Sequence, residues 1–197
     1  MLCLRRPEPH QITRFISDQS VRPFSYHAVG STLTSPPQGF VVDRNRKRLG
    51  EGSEVFHTAR RALAAWKMFD IGWVEVFSPK TPIAAGETVA VLATIWGLCF
   101  LNACRIVYTV DEDGPLRRFG FAYGTLPQHA ESGEERFTIE WNREDNSVWY
   151  DLLAFSRPNQ LLAKIAYPLA RNLQKRFAGD SMQSMLRHAR QSPGYDR

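Results

Sequence analysis

An α+β fold, with an antiparallel sheet of about seven strands curved around one long C-terminal helix, is what this 197-residue sequence predicts, on three observations. Between Glu87 and Ser156 five strand-like runs follow one another, separated by polar turns. Two of those connections, Asp111-Glu-Asp-Gly-Pro115 and Asn142-Arg-Glu-Asp-Asn146, are too short for a parallel crossover, which needs about a dozen residues. From Arg157 onward the pattern changes to an apolar stripe at helical spacing.

Taken in order, Ile12, Phe15 and Ile16 lie at helical spacing after Pro9 and predict a short N-terminal helix. Ser31 to Gly39 is rich in turn residues, and Phe40 to Leu49 reads as an extended polar segment. Gly50-Glu-Gly52 breaks it, and Ser53 is placed to cap a helix. Val55, Phe56, Ala59, Ala62, Leu63 and Trp66 form that helix's apolar face, which ends near Asp70. Gly72 lets the chain turn into the brief alternation Trp73-Val-Glu-Val-Phe77. The strands Glu87–Trp96, Ala103–Asp111, Leu116–Tyr123, Glu134–Trp141 and Val148–Ser156 follow. Alternation in Phe137, Ile139 and Trp141, and in Val148, Tyr150, Leu152 and Ala154, requires at least one buried face. The last helix starts at Arg157-Pro158 and carries Leu162, Ile165, Ala166, Leu169, Leu173 and Phe177 on one side. Pro168 should kink it, Gly179 should interrupt it before Met182, Met185 and Leu186, and Arg171, Lys175 and Arg176 should face water. Residues 1–191 make one domain and 192–197 a frayed tail; a core of this size buries roughly 70% of the unfolded surface.

The net charge of +5 is unevenly spread. Residues 157–197 hold 8 Lys/Arg against 2 Asp/Glu, whereas residues 111–151 hold 10 acids against 4 bases, so an acidic middle could face a basic tail. The dense basic run Arg44-Asn-Arg-Lys-Arg48 is short and comes with no nucleic-acid-binding pattern, so no specific nucleic acid is expected. Three cysteines, Cys3, Cys99 and Cys104, make no disulfide framework, which points to a reducing, cytoplasmic setting. The 15 uncharged residues from Val89 to Ala103 fall short of a spanning helix, and Gly97 marks the turn of a hairpin instead. Scattered histidines and unpaired cysteines give no metal-ligand spacing, and no glycine-rich phosphate loop occurs, so neither metal nor cofactor is expected.

Four stretches together resemble one family: Phe24-Ser-Tyr26-His-Ala-Val-Gly30, Leu49-Gly-Glu-Gly52, Cys104-Arg-Ile-Val-Tyr108, and Phe121-Ala-Tyr-Gly-Thr-Leu-Pro127 with His129 and Glu131-Ser-Gly-Glu-Glu-Arg-Phe137. Ala154-Phe-Ser-Arg-Pro158, Tyr167-Pro-Leu-Ala-Arg171 and Gln174-Lys-Arg-Phe177 extend the likeness over nearly the whole chain. The family is the domain of unknown function nineteen-ninety, also called uncharacterised protein family 0548. The resemblance implies a domain extent and brings no catalytic residue with it. The strand order also resembles the helix-grip fold of START-like and polyketide-cyclase-like proteins, an architectural likeness.

If the helix stands off from such a sheet, the hollow between them suits an apolar small molecule or lipid; if it packs down, side chains fill the core, and the sequence is equally consistent with both. Arg105, Tyr108, Tyr123, Thr125, His129 and Glu135 are the hollow's candidate ligand-binding residues. Arg105 would either hold a ligand's anionic group or pair with Glu135 or Glu140 on a neighbouring strand. A second class of function is an enzyme of hydrolase or cyclase type in which His129 works with Glu131 or Glu134, because carboxylates tune an imidazole that titrates near neutrality. A third is an interaction or peripheral membrane module, its basic C-terminal helix meeting anionic lipid or an acidic partner.

Overall fold

A computed structural model describes residues 1–77, 81–159 and 167–190. Its elements in chain order are β1 (Leu2–Cys3), α1 (Pro9–Ser20), β2 (Val41–Glu51), α2 (Gly52–Ala64), a 3₁₀ turn (Lys67–Phe69), β3 (Val74–Phe77), β4 (Thr88–Ile95), β5 (Leu98–Glu112), β6 (Leu116–Thr125), β7 (Glu131–Asn142), β8 (Ser147–Pro158) and α3 (Tyr167–Arg190). The strands form one antiparallel sheet in the order β2-β8-β7-β6-β5-β4-β3, with β1 added beside the start of β5. The curved α+β fold is therefore present, one short strand larger than expected.

Several boundaries differ from the sequence reading for local reasons. α2 starts at Gly52 behind Glu51, and Ser53 makes no capping bond. β8 runs through Arg157-Pro158, where a helix was expected; Pro158 is its last residue, a place where a missing N–H costs the ladder little. Gly179 does not interrupt α3, which continues to Arg190. The positions Leu162, Ile165 and Ala166 and the tail 192–197 lie outside the described residues. The Val89–Ala103 run is the β4–β5 hairpin, turned by Trp96 and Gly97 at φ +50° and +80°. Both turn residues being left-handed fits the twist of a two-residue hairpin.

Period-2 geometry divides the sheet into two faces. Cys104, Ile106, Phe121, Tyr123, Phe137, Ile139, Val148, Tyr150 and Leu152 point to the concave face and pack with α2, the 3₁₀ turn and α3. On the convex face Ala90, Leu92, Leu101 and Ala103 are covered by Ile12 and Phe15 of α1, so this end of the sheet is buried on both sides.

The two halves of α3 do different work. Ala178, Met182, Met185 and Ala189 form its buried stripe, Tyr150 Oη and Ser181 Oγ lie 2.9 Å apart, and Ser184 Oγ donates to Lys67 O at 2.6 Å. Its C-terminal half is thereby fastened to sheet and turn, while the stretch from Leu169 to Ala178 spans an opening beneath it. Edge strand β2 carries Arg44 to Arg48; Arg46 pairs with Glu140 at 2.9 Å and lies over the Trp149 ring, and such charge discourages edge-to-edge association. Among the described residues several acids of the 111–151 stretch pair with bases on neighbouring strands and α2: Arg117 with Asp113, Arg118 with Glu140, Arg136 with Asp151, Arg60 with Asp111.

Candidate functional site

Beneath the N-terminal half of α3 lies a cavity of about 600 Å³. Its walls are mainly apolar: Phe69 and Trp73, the β4–β5 residues Val91, Ala93, Ile95, Leu98 and Phe100, Leu152 and Ala154 of β8, and Leu169, Leu173 and Phe177 of α3. Trp73 is oriented by its indole N–H, which donates to Asp180 of α3 at 2.8 Å. The pairing register sets the polar groups. Asp43, Ala154, Glu135, Tyr123 and Ile106 lie in one row across β2, β8, β7, β6 and β5, all on the concave face.

The polar side chains of that row pair with one another and with α3. Tyr123 Oη donates to Glu135 Oε2 at 2.8 Å. Arg171 of α3 holds Asp43 with both guanidinium nitrogens, at 2.6 and 2.7 Å, a forked geometry that neutralises the carboxylate. Gln174, one turn along, gives its amide N–H to Glu131 and to Ser156 Oγ. Burial pushes the Glu135 carboxyl up to about 7; the Tyr123 hydrogen bond acts against it, and the charges of Glu131 and Asp43 add to it. Burial also raises Glu131, opposed by bonds from Gln174 and Ser156 and by the Arg171 charge. Tyr123 is held well above its ordinary value by burial and then by Glu135, so it remains a hydrogen-bond donor. Buried Cys104 is likewise pushed up by burial, with Glu135 adding, and is an inert thiol rather than a nucleophile.

Three expected site residues belong to the convex face instead. Arg105 stands opposite Gly124 and Thr88, on the outward row. Its guanidinium donates to the carbonyls of Ser20 at 2.6 Å, Arg22 at 2.8 Å and Gln19 at 3.3 Å, and lies over the Phe24 ring. It therefore pairs with neither Glu135 nor Glu140 and does not reach the cavity; a cation satisfies the free carbonyls at the end of α1. Tyr108 follows a register shift in β5 that turns it outward, and its hydroxyl lies 2.6 Å from Thr32 Oγ1. Glu134, one residue from Glu135, points the other way. Its carboxylate accepts from Tyr26 Oη at 2.7 Å, Gly30 N at 2.7 Å, Thr32 N at 3.0 Å and the Thr32 hydroxyl. Glu134 is thus the clasp that holds residues 26–32 over the sheet.

The catalytic grouping of His129 with Glu131 or Glu134 does not form among the described residues. His129 Nδ1 accepts the backbone N–H of Glu131 at 3.0 Å, Glu131's carboxylate turns to α3, and Glu134 is across the sheet. Burial first, then the N-terminal ammonium, hold His129 down to about 4, so it is neutral at neutral pH. His129 and Thr125 do border the cavity, where Thr125 Oγ1 accepts from Gly133 N at 2.9 Å and meets Ser25 Oγ at 2.6 Å. Arg171, expected to face water, is turned inward. Elsewhere on α3, Arg176 covers the Trp73 ring, Arg187 donates to Asp70 O, and His188 lies 3.0 Å from the Asp70 carboxylate. No helix among the described residues is long and apolar enough to cross a membrane.

Asp43, Ser156, Arg171 and Gln174 were absent from the sequence-level candidates. Strand parity could have placed Ser156 with Ala154, and the i,i+3 relation of Arg171 and Gln174 with Phe177 could have placed both on one helix face. The pairing of β2 with β8 across more than 100 residues, which brings in Asp43, has no local signal.

Comparison with known proteins agrees with this architecture. A family model described as a domain of unknown function, DUF1990, matches residues 25–184. A UPF0548 protein of Dictyostelium discoideum is 38% identical over 206 residues, covering 95% of each chain. One of Deinococcus radiodurans is 35% identical over 201 residues, covering 96% of this chain and 99% of its own. Among solved structures, a hypothetical protein of Helicobacter pylori is similar with a TM-score of 0.50 at 9% identity, covering 86% of this chain and 98% of that one, a likeness that concerns the fold alone. With its helix-grip arrangement of sheet and C-terminal helix, the chain belongs to the DUF1990 family, whose relatives bear the name UPF0548.

Proposed function

We propose that this protein binds an apolar small molecule or lipid in the cavity between the sheet and the N-terminal half of α3. The observation that carries the reading is the cavity itself: about 600 Å³ inside a well-packed domain, walled by aromatic and aliphatic side chains with a few polar groups gathered at one place. A packed core leaves few voids larger than a water molecule, whereas ligand sites commonly span roughly 300–1,000 Å³ with this composition. Tyr123, Glu135, Thr125 and His129 border the bound molecule; Arg105 and Tyr108 hold the outer layer in place. The three thiols are free, which suits work in the reducing cytoplasm.

Nile red, a neutral dye that fluoresces in apolar surroundings, tests this directly when titrated into the purified protein beside native mass spectrometry of the same sample. Saturable one-to-one binding with a dissociation constant on the order of 1 μM supports the reading. Absence of both dye binding and any co-purified molecule refutes it.

A further inference from the structure

The polar end of the cavity has an excess of negative charge with an uneven distribution. Three carboxylates, Asp43, Glu131 and Glu135, border it. Asp43 is neutralised by the forked Arg171 contact. Glu131 receives an uncharged amide from Gln174. Glu135 receives one uncharged hydroxyl, at 2.8 Å from Tyr123, and makes no ion pair among the described residues. Among the described residues the other cations on the cavity wall are Lys175, exposed at its rim, and the Met1 ammonium, which is occupied by the carbonyls of Leu101 at 2.6 Å and Gln128 at 3.0 Å. A carboxylate drawn out of water and left with a single neutral partner is costly. A cation entering the same low-dielectric space gains more from it than it would in water.

We propose that Glu135, oriented by Tyr123, receives the cationic head of an amphiphilic ligand, an alkyl- or arylalkyl-ammonium, whose apolar body lies along Phe69, Val91, Phe100 and Leu152. This rests on the cavity being a ligand site and names the class of ligand. A fatty-acid head in the same place meets Glu131 and Glu135 with like charge, and Arg171, the nearest guanidinium, is already committed to Asp43. A neutral alcohol can accept the Tyr123 proton or donate to Glu135 but brings no counter-charge. An ammonium supplies what the site lacks: charge and two or three N–H donors for Glu135 and Glu131.

Protonation should follow. Glu135 is faced by Tyr123 from β6, Cys104 from β5, Tyr150 and Ser156 from β8, Asp43 from β2, Glu131 on its own strand, and Arg171, Gln174 and Lys175 from α3. Its own carboxyl is the group raised to about 7. Ammonium binding favours the ionised carboxylate, so affinity for the amine grows as pH rises through that value.

Decylamine, decanol and decanoate, competed against Nile red on the full chain, separate the alternatives because they share one tail. At about pH 8 decylamine should bind roughly tenfold more tightly than decanol, and decanoate more weakly than decanol. Between about pH 6 and pH 8 the amine-to-alcohol ratio should rise several-fold. Glu135→Gln, which keeps the shape and the Tyr123 hydrogen bond, should bring that ratio close to one, with a melting curve confirming that the variant is folded. Equal binding of all three compounds, a preference for decanoate, or a ratio that is flat with pH overturns the assignment of Glu135 while leaving the cavity a ligand site. Failure of every decyl compound and of Nile red removes the ligand site and this inference with it. Should Glu135→Gln not fold, the head-group order and its pH dependence in the unaltered protein decide by themselves.

Discussion

Adjacent residues Glu134 and Glu135 are chemically alike and do opposite things, because a strand sends neighbours to opposite faces. Glu134 is 2% exposed and fully occupied by Tyr26, Gly30 and Thr32. Glu134→Ala leaves those donors unmatched and should cost about 3 kcal/mol, read as a lower midpoint in urea unfolding with little effect on dye affinity. Glu135 carries a stability cost of its own. Its folded value, about 7, lies above the ordinary carboxylate value, so the folded state holds the extra proton; the stabilisation is full below about pH 4.5 and disappears as pH rises through 7. Glu135→Gln should therefore match the parent near pH 4.5 and exceed it at pH 8 by on the order of 3 kcal/mol, a divergence that melting curves at the two pH values would reveal. His129 has the reverse sign. Held down to about 4, it supports the fold above pH 6.5 and withdraws that support as pH falls toward 4, so His129→Gln should flatten the acid side of the stability profile. Alternation in the sequence shows that the two glutamates diverge; it does not show which one faces inward, since both faces of this sheet are covered.

The covering of the convex face is the element that sequence reasoning saw least. Helix α1 was legible from Ile12, Phe15 and Ile16, and the β5–β8 strands from their alternation and short polar turns. The path of residues 22–40 was not, because it is fastened by contacts across about 100 residues of chain: Arg105 to the end of α1, Ser25 N to Thr125 O, Tyr26 to Glu134. Such bonds leave no period behind. Tyr26 also needs bare backbone below it, since a Cβ on Gly124 would come within 2.1 Å of its hydroxyl oxygen. Gly124→Ala should displace Tyr26 from Glu134 and lose about 2–4 kcal/mol. Arg105→Ala removes the donor shared by three carbonyls at the end of α1, of which Gln19 O keeps the Arg22 N–H, and should cost about 1–3 kcal/mol, with earlier proteolysis of the N-terminal segment and ligand affinity unchanged. Had Arg105 faced the cavity, affinity would fall and stability hold, so a melting curve beside a dye titration separates the two positions.

At the scale of the molecule, one helix both closes the core and roofs the cavity, and the division falls near Ala178. Beyond it, Met182, Met185 and Ala189 fill the concave face against α2 and the 3₁₀ turn. Before it, Leu169 and Leu173 border open space, as do the β4–β5 hairpin residues and Phe177, whose ring lies 5.4 Å from that of Phe69. Sequence periodicity sees one apolar stripe in both halves and has no means of telling a packed stripe from a roof; only the distance between layers does. The distinction matters energetically, because stability is carried by the packed half, and the space beneath the other half serves no packing need. Filling that space should leave the fold intact. Ala93→Phe puts a ring into the cavity from β4, where the residue already borders the space. The midpoint of thermal unfolding should hold or rise by a few degrees, since apolar surface is buried without displacing packed neighbours. Nile red and decylamine binding should both be lost. A variant that binds as before would mean that the dye sits elsewhere, and one that unfolds would mean that the space is too tight to be a site.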